Sequence, residues 1–334
     1  MNNKKTKEWG SISNDYFVKK AAADAIYKVC RMILLFGLCF LILQPLLDKL
    51  SVSFMSEQDL YDGTVISIPR TFTLANYSLA STLMTYWTSL FQTLFIVLGS
   101  AVLQISACTL AGYSFARFKF PLKNFWFFCV MLIIVVPPQT IMSSLYLNFR
   151  FFDILGLAKL LSGQTINLLN NVLGLFLLSA TGMGLKSGLY IFMLRQYFRG
   201  MPKELEEAAW VDGCGKFKTF IRIMLPDAMP MLTSCFLFSF VWQWTDSFFT
   251  TLFLTNYKML SKGLGGLSER YSQFWAQANI AGVGGGGVSA FAPVAQTQMM
   301  IATGMLMCLA PLILLYLVAQ KAFVESLSQT GIKM

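Results

Sequence analysis

The chain has 334 residues, of which 56% are hydrophobic and only 13% are charged. A soluble domain carries about a quarter charged residues, so this composition indicates a chain that folds in lipid. The chain contains no histidine, which excludes His-based acid–base catalysis, Ser-His-Asp triads and His-containing metal sites. Its seven cysteines form no CxxC pair, and their mostly apolar surroundings are typical of small core residues.

Apolar segments long enough to cross about 30 Å of hydrocarbon as helices occur six times along the chain. A basic N-terminal segment, residues 1–25, precedes them. The predicted spans are residues 26–47, 88–113, 124–147, 172–194, 228–254 and 295–320, and a tail follows at 321–334. This pattern predicts an all-α membrane protein whose six transmembrane helices form one domain over residues 26–320.

The Lys and Arg residues divide unequally between the two sets of connecting segments. Eighteen of the 26 fall on the side that includes both termini, seven fall on the other side, and Lys186 lies within a span. Because positively charged segments stay in the cytoplasm, this division predicts cytoplasmic N- and C-termini. Lys and Arg held on one side of a membrane also explain the net charge of +10. Membrane lipid is therefore expected as a partner, and nucleic acid is not.

The longest connection on the predicted cytoplasmic side is the coupling loop, residues 195–226. A proline followed by acidic residues at Met201–Glu204 predicts a helix start, and Gly213 predicts a C-cap or turn. A second helical stretch is predicted at Lys216–Met224, ending at Leu225-Pro226. The result is a helix–turn–helix with a shallow surface that a partner can approach closely.

The residues of this loop resemble the signature of a known family. Glu207-Ala208-Ala209, Gly213 and Ile223-Met224-Leu225-Pro226 have the spacing of the EAA motif in permease subunits of binding-protein-dependent ABC importers. The resemblance implies an ABC type I importer permease fold, in which this loop inserts into a groove of the ATPase subunit. The docking residues that it implies are Glu207, Ala208, Ala209, Asp212, Gly213, Ile223, Leu225 and Pro226. It also implies a non-catalytic chain, with ATP and Mg bound by the partner ATPase.

Other phrases resemble the sugar permeases of the maltose type. They are Ile68 to Tyr77, Tyr113 to Phe118, Trp244-Thr245-Asp246 and Phe323 to Lys333, where Ser326 stands in place of the usual glycine. The resemblance implies import of a sugar or oligosaccharide across a bacterial cytoplasmic membrane. The implied partners are a sister permease, two ABC ATPase subunits and an extracytoplasmic solute-binding protein. The same class of importer carrying a peptide, an amino acid or a polyamine is an alternative.

A secondary carrier is the alternative from a different class. It would be expected to show an inverted repeat, which the sequence lacks, and it would leave the EAA loop unexplained. The glycine run Gly284 to Gly287 lacks the Lys-Ser/Thr ending of a phosphate-binding loop. The chain therefore has no nucleotide-binding motif of its own.

Polar residues inside the predicted spans are candidates for the solute path. In an unbroken fourth span Lys186 would lie near the middle of the bilayer, where a charge is costly unless it faces water or a partner. A shifted or broken helix that lets it reach outward is equally compatible with the sequence. Trp242 and Trp244 fit either an aromatic belt or a stacking surface for sugar rings. The candidates for the path are Lys186, Gln139, Gln243, Trp242, Trp244 and Asp246.

Overall fold

The computed structural model describes residues 3–65, 68–153, 159, 164–280 and 292–331. The glycine run at 284–287 lies outside the described residues. So do residues 332–334, which include the end of the C-terminal segment Phe323 to Lys333. Within them, the secondary structure is helical apart from an isolated bridge between Phe152 and Ile166. The predicted all-α class is confirmed.

Contacts divide the chain into two units, residues 1–76 and 77–334. The first unit contains α1 (Asn3–Ser53), a helix of 51 residues that includes the first predicted span. A short helix, α2 (Glu57–Tyr61), follows it.

Asp59 of α2 organises the segment that follows α1. Its carboxylate accepts hydrogen bonds from the backbone N–H groups of Thr71 (2.9 Å) and Arg70 (3.1 Å) and from the Thr71 hydroxyl (3.0 Å). These bonds favour the ionised form, the Thr71 N–H most strongly, and they lower the pKa of Asp59.

A long central helix, α4, organises the second unit. The helix α3 (Ala75–Met84) precedes it, and Thr85, in the left-handed region at φ +47°, separates α3 from α4 (Tyr86–Arg117). The helices that follow among the described residues are α5 (Lys123–Val135), α6 (Met142–Arg150), α7 (Val172–Ala180), α8 (Ser187–Gly200), α9 (Glu204–Val211), α10 (Lys216–Asp227), α11 (Met229–Thr245), α12 (Phe248–Phe253), α13 (Leu260–Gly265), α14 (Leu267–Ile280) and α15 (Val294–Gly331).

Helix continuity differs among the predicted spans. Stretches of α1, α4 and α15 are each long and apolar enough to cross a membrane. Two bent pairs, α5 with Pro138–Arg150 (101°) and α10 with α11 (75°), raise the number among the described residues to five if each pair is one span. Pro137 and Pro138 explain the first bend, because proline removes a backbone donor and restricts the residue before it. Six spans remain a prediction from the sequence.

The fourth predicted span, residues 172–194, is divided in two. The chain leaves the helix after Ala180 and re-enters it at Ser187, with Gly182 at φ +70° and Lys186 at φ +62° between these points. The structure therefore lacks the unbroken helix that would place Lys186 near the middle of the bilayer. Glycine supplies the left-handed turn without a Cβ penalty, which a hydrophobicity pattern does not reveal.

The core of the second unit forms around α4, which packs against α7, α8 and α11. Gly112 allows the close approach of α4 and α8, because a Cβ at this position would lie 2.9 Å from Leu194 Cβ. Near this crossing a cluster of buried aromatic residues joins α4, α8 and α10, with Tyr113, Phe198 and Phe220 as members. This cluster attaches the coupling loop to the helical core.

Candidate functional site

Gly213 lies in the turn that ends α9, as the position of this glycine after the helical stretch predicts. The Gly213 N–H donates to the Trp210 carbonyl (3.0 Å) and the Cys214 N–H donates to the Ala209 carbonyl (2.9 Å). With Gly213 at φ +75°, these two bonds form a Schellman motif, which satisfies the last carbonyls of α9. The motif requires the residue after the C-cap to be left-handed, and glycine meets that requirement most easily.

The inward side of α9 is polar as well as apolar. Ala209 and Glu206 are buried, although they belong to a helix on the surface of the unit. The Tyr113 hydroxyl donates to Glu206 Oε1 (2.9 Å), and Arg117 Nε lies 3.5 Å from the same oxygen. The inward position of Glu206 leaves no signal in the sequence, because nothing in an amphipathic pattern shows that an acidic residue next to Glu207 turns inward.

The outward side of α9 offers small, acidic and apolar side chains together. Glu207, Ala208 and Asp212 are exposed. Trp210 is 48% exposed and Val211 is 87% exposed. Such a combination of an aromatic side chain with small neighbours is suited to close contact with another protein.

The second half of the coupling loop continues further than predicted. Residues Phe220–Met224 form a π-helical turn, and the helix then runs on to Asp227. The predicted stop at Leu225-Pro226 is therefore wrong. Proline is tolerated here because it occupies the first turn of the α-helical segment that follows the π turn. Ile223 and Leu225 are partly buried and Pro226 is exposed.

Two of the predicted path residues contact each other. The Lys186 ammonium lies 5.1 Å from the centroid of the Trp242 ring, a cation–π distance, and Trp242 is 46% exposed. Trp244, by contrast, is 3% exposed. Its ring stacks on Phe240 at 5.5 Å, and its Nε1–H donates to the Cys308 carbonyl at 3.2 Å. The structure gives Trp244 a packing role.

Asp246 and Gln139 lie at breaks in the helices. The Asp246 carboxylate accepts bonds from the N–H groups of Thr250 (3.0 Å), Phe248 (3.2 Å) and Phe249 (3.3 Å), and so caps the start of α12. Gln139 is exposed in the 3₁₀ turn Pro138–Ile141. Among the described residues no hydrogen bond joins it to the other predicted path residues.

Gln104 of α4 is the centre of a buried polar network that sequence analysis did not predict. Its Nε2 donates to the Leu185 carbonyl and the Ser187 hydroxyl, each at 2.7 Å. Its Oε1 accepts from the Ser239 hydroxyl and from Gln243 Nε2, each at 2.7 Å. A glutamine within an uncharged span was the available signal, since polar groups at membrane depth are costly unless bonded.

A small cavity of about 20 Å³ lies beside this network. Gly184 and Leu185 line it from the break before α8, and Gln243 and Asp246 line it from the end of α11. A cavity of this volume has room for about one water molecule. This cavity is therefore too small to hold a sugar ring.

Comparison with known proteins agrees with the fold and identifies the family. Residues 108–329 match the family described as binding-protein-dependent transport system inner membrane component. The probable ABC transporter permease protein of Pyrococcus horikoshii is 31% identical over 223 residues, 66% of this chain and 74% of that protein. The maltodextrin transport system permease protein MdxG of Bacillus subtilis is 26% identical over 94% of this chain and 99% of its own.

The fold also resembles a solved structure. It matches a chain in the crystal structure of a bacterial ABC transporter involved in the import of the acidic polysaccharide alginate, with a TM-score of 0.67. The match covers 90% of this chain and 98% of that chain at 20% sequence identity. At this identity the likeness shows the fold alone.

The apolar helices, the coupling-loop geometry and the match over residues 108–329 define a multi-pass membrane component of a transport system. The chain belongs to the permease family of binding-protein-dependent ABC transporters. It is a non-catalytic subunit of such a transporter, and the family resemblance seen in the sequence is confirmed.

Proposed function

We propose that this chain is one of two permease subunits of an ATP-driven carbohydrate importer. It crosses the bacterial cytoplasmic membrane six times with both termini in the cytoplasm, and a sister permease completes the solute path. An extracytoplasmic solute-binding protein delivers the solute. The coupling loop (residues 195–226) docks on one of two ATPase subunits, which bind ATP and Mg.

The observation that carries the docking role is the difference between the two sides of α9. Glu206 and Ala209 attach the helix to the core, whereas Glu207, Trp210 and Val211 project away from it. A large apolar side chain such as Trp210, exposed beside small and acidic residues, gains most when a partner covers it. The ATPase of an ABC importer is the partner that this family supplies.

The carbohydrate assignment is supported by relatives and by one side-chain pair. MdxG is named for maltodextrin transport. In this chain, Trp242 is 46% exposed, and the Lys186 ammonium 5.1 Å from its ring centroid can donate to hydroxyl groups. Lys186, Trp242, Gln243 and Gln139 are the residues that we assign to the path, and peptides, amino acids and polyamines are the competing solutes.

Charge reversal at Glu207 tests the docking role. In cells that express the complete transporter, Glu207→Arg is expected to abolish ATP-dependent uptake and leave membrane insertion intact, because Glu207 is exposed and holds no part of the core. Asp24→Arg is the matched control, since it reverses an exposed carboxylate on the same predicted side of the membrane. Normal uptake by Glu207→Arg would overturn the docking role.

The solute class is tested with the reconstituted permease pair, its ATPase and the cognate solute-binding protein. Maltodextrins and other oligosaccharides are expected to stimulate ATP hydrolysis, while peptides, amino acids and polyamines are not. Stimulation by a non-carbohydrate alone would retain the importer and overturn the sugar assignment.

Membrane topology is tested with single cysteines in a chain whose native cysteines are replaced. Reporters at Lys119 and Lys258, both exposed, are expected to react from the cytoplasmic and the outer side, respectively. Reaction of both from the same side would exclude the six-span topology.

A further inference from the structure

A buried polar cluster joins the inward side of α9 to the last turns of α4. The side chains of Arg117 and Glu206 are 7% and 8% exposed, with Arg117 Nε 3.5 Å from Glu206 Oε1. Tyr113 precedes Arg117 by four residues and therefore lies on the same side of α4. Its hydroxyl donates to that same carboxylate oxygen at 2.9 Å. Two residues of α4 thus hold one acidic residue of the coupling loop.

Arg117 also reaches the junction between α8 and α9. Its Nη2 donates to the carbonyl of Met201, which directly follows α8, at 2.8 Å. Its Nε–H makes no hydrogen bond among the described residues, so charge attraction, and not a short bond, links it to Glu206. Arg117 therefore connects the end of α4 both to the segment that precedes α9 and to the first turn of α9.

The ring of Tyr113 completes the attachment. It lies against Phe198 of α8, with ring centroids 5.4 Å apart, and against Phe220 of α10, with centroids 4.7 Å apart. All three residues are buried. Tyr113 and Arg117 together contact α8, α9 and α10, so the end of α4 is held by every helix of the coupling loop.

Stability alone does not account for a charged pair at this position. Removing two charges from water is costly, and well-packed apolar side chains often stabilise a fold equally well. What the buried cluster adds is a fixed arrangement, because each polar group must keep its partner in a medium of low dielectric constant. Glu204 and Glu207 on the same helix are exposed and impose no such constraint.

We propose that Arg117, Glu206 and Tyr113 are positioning residues that make α9 and the end of α4 move as one body. Displacement of α9 by the ATPase is then transmitted directly to the second span through a contiguous polar and aromatic contact. The inference rests on the proposed docking of α9 on the ATPase. It concerns what happens after docking, since none of the three residues belongs to the exposed side of α9.

The test compares solute transported with ATP hydrolysed in the reconstituted transporter. Glu206→Gln retains the size of the side chain and an acceptor for Tyr113, but removes the charge that Arg117 faces. We expect the ATPase to bind with unchanged affinity and the number of solutes transported per ATP to fall about threefold or more. Glu204→Gln and Lys119→Gln, which neutralise exposed charges near the cluster, are expected to keep the ratio of the parent.

A merely structural role predicts a different result. It would lower the yield of assembled complex, and uptake and hydrolysis would fall together with their ratio unchanged. The double variant Arg117→Gln/Glu206→Gln provides a second test. If the two residues act as a unit, the double variant should transport as many solutes per ATP as the more affected single variant. Additive losses of the ratio would show independent roles and overturn the proposal.

The two proposals fail in distinguishable ways. An unchanged ratio in Glu206→Gln, with the parent complex active, overturns the positioning role and leaves the importer assignment intact. Absence of ATP-dependent uptake by the parent complex overturns the importer assignment itself. If Glu206→Gln does not assemble, Tyr113→Phe removes only one hydroxyl, and an unchanged ratio in that variant overturns the positioning role.

Discussion

Replacing Gly213 by alanine measures how much a glycine in the left-handed region stabilises the turn at the end of α9. Gly213 is left-handed at φ +75°, and a Cβ built on it would meet nothing within 4 Å. The substitution therefore creates no clash, and its whole cost is that of placing an L-residue in the left-handed region. That cost is about 1–2 kcal/mol.

The expected consequence is a less stable end of α9. The Schellman bond from the Cys214 N–H to the Ala209 carbonyl should open more often by the same free energy. A loss of about 1–2 kcal/mol corresponds to a roughly 5- to 30-fold increase in the open population. In Gly213→Ala, the amide hydrogens of residues 213 and 214 should exchange faster than in the parent by that factor.

Hydrogen exchange with mass spectrometry on the purified chain measures this directly, using peptides that cover residues 205–216. Gly215→Ala is the matched control. Gly215 also has open space around its Cβ position, but its φ of −71° suits any residue. Gly213→Asn provides an intermediate case, because asparagine tolerates the left-handed region better than alanine.

Equal acceleration in Gly213→Ala and Gly215→Ala would refute the reasoning, since it would show that chain flexibility and not the sign of φ controls the turn. No acceleration in Gly213→Ala would show that the turn adopts another conformation. In the complete transporter the same variant should weaken uptake, because the surface around Trp210 depends on where α9 ends.

Three further changes test other parts of the fold. Gly112→Ala would place a methyl group 2.9 Å from Leu194 Cβ and should destabilise the chain by about 1–3 kcal/mol in thermal unfolding, whereas Gly37→Ala, which has open space, should not. Gln104→Leu leaves its buried partners unsatisfied and should cost roughly 1–3 kcal/mol in the same assay; unfolding at the parent temperature would contradict the network. The lowered pKa of Asp59 means that its stabilising effect is present above its ordinary pKa and is lost as the pH falls through the lowered value. Limited proteolysis of residues 54–74 should therefore increase in acid, and Asp59→Asn should be cleaved at neutral pH; equal resistance would contradict this.

Much of the coupling loop could be predicted because its signals are local. A left-handed turn favours glycine at Gly213. Acidic residues such as Glu204 and Glu207 are favourable in the first turn of a helix. The inward orientation of Glu206 could not be predicted, because it depends on Arg117 and Tyr113, some ninety residues earlier in the chain. Tertiary contacts of this kind leave no periodic trace in a single sequence.

Three of the predicted spans fall in continuous helices, α1, α4 and α15, whereas the helices at the other predicted spans are interrupted. Hydrophobicity over residues 172–194 indicates membrane depth but not backbone conformation, so the break between Ala180 and Ser187 was only one of two alternatives. Trp242 and Trp244 show the same limit. They lie two residues apart on one helix, but Trp242 is 46% exposed and Trp244 is 3% exposed. This difference follows from the packing of α11 on α15.

Polar side chains satisfy the backbone groups that the two helix breaks leave without helical partners. A non-helical backbone at membrane depth is tolerated only where protein or a water-filled cavity satisfies its polar groups. The Leu185 carbonyl, in the break before α8, accepts from Gln104. At the other break, the Asp246 carbonyl accepts from the Thr250 and Ser261 hydroxyls. Both breaks line the same small cavity. The polar side chains of Gln104, Thr250 and Ser261 thus satisfy backbone groups where the helices are interrupted.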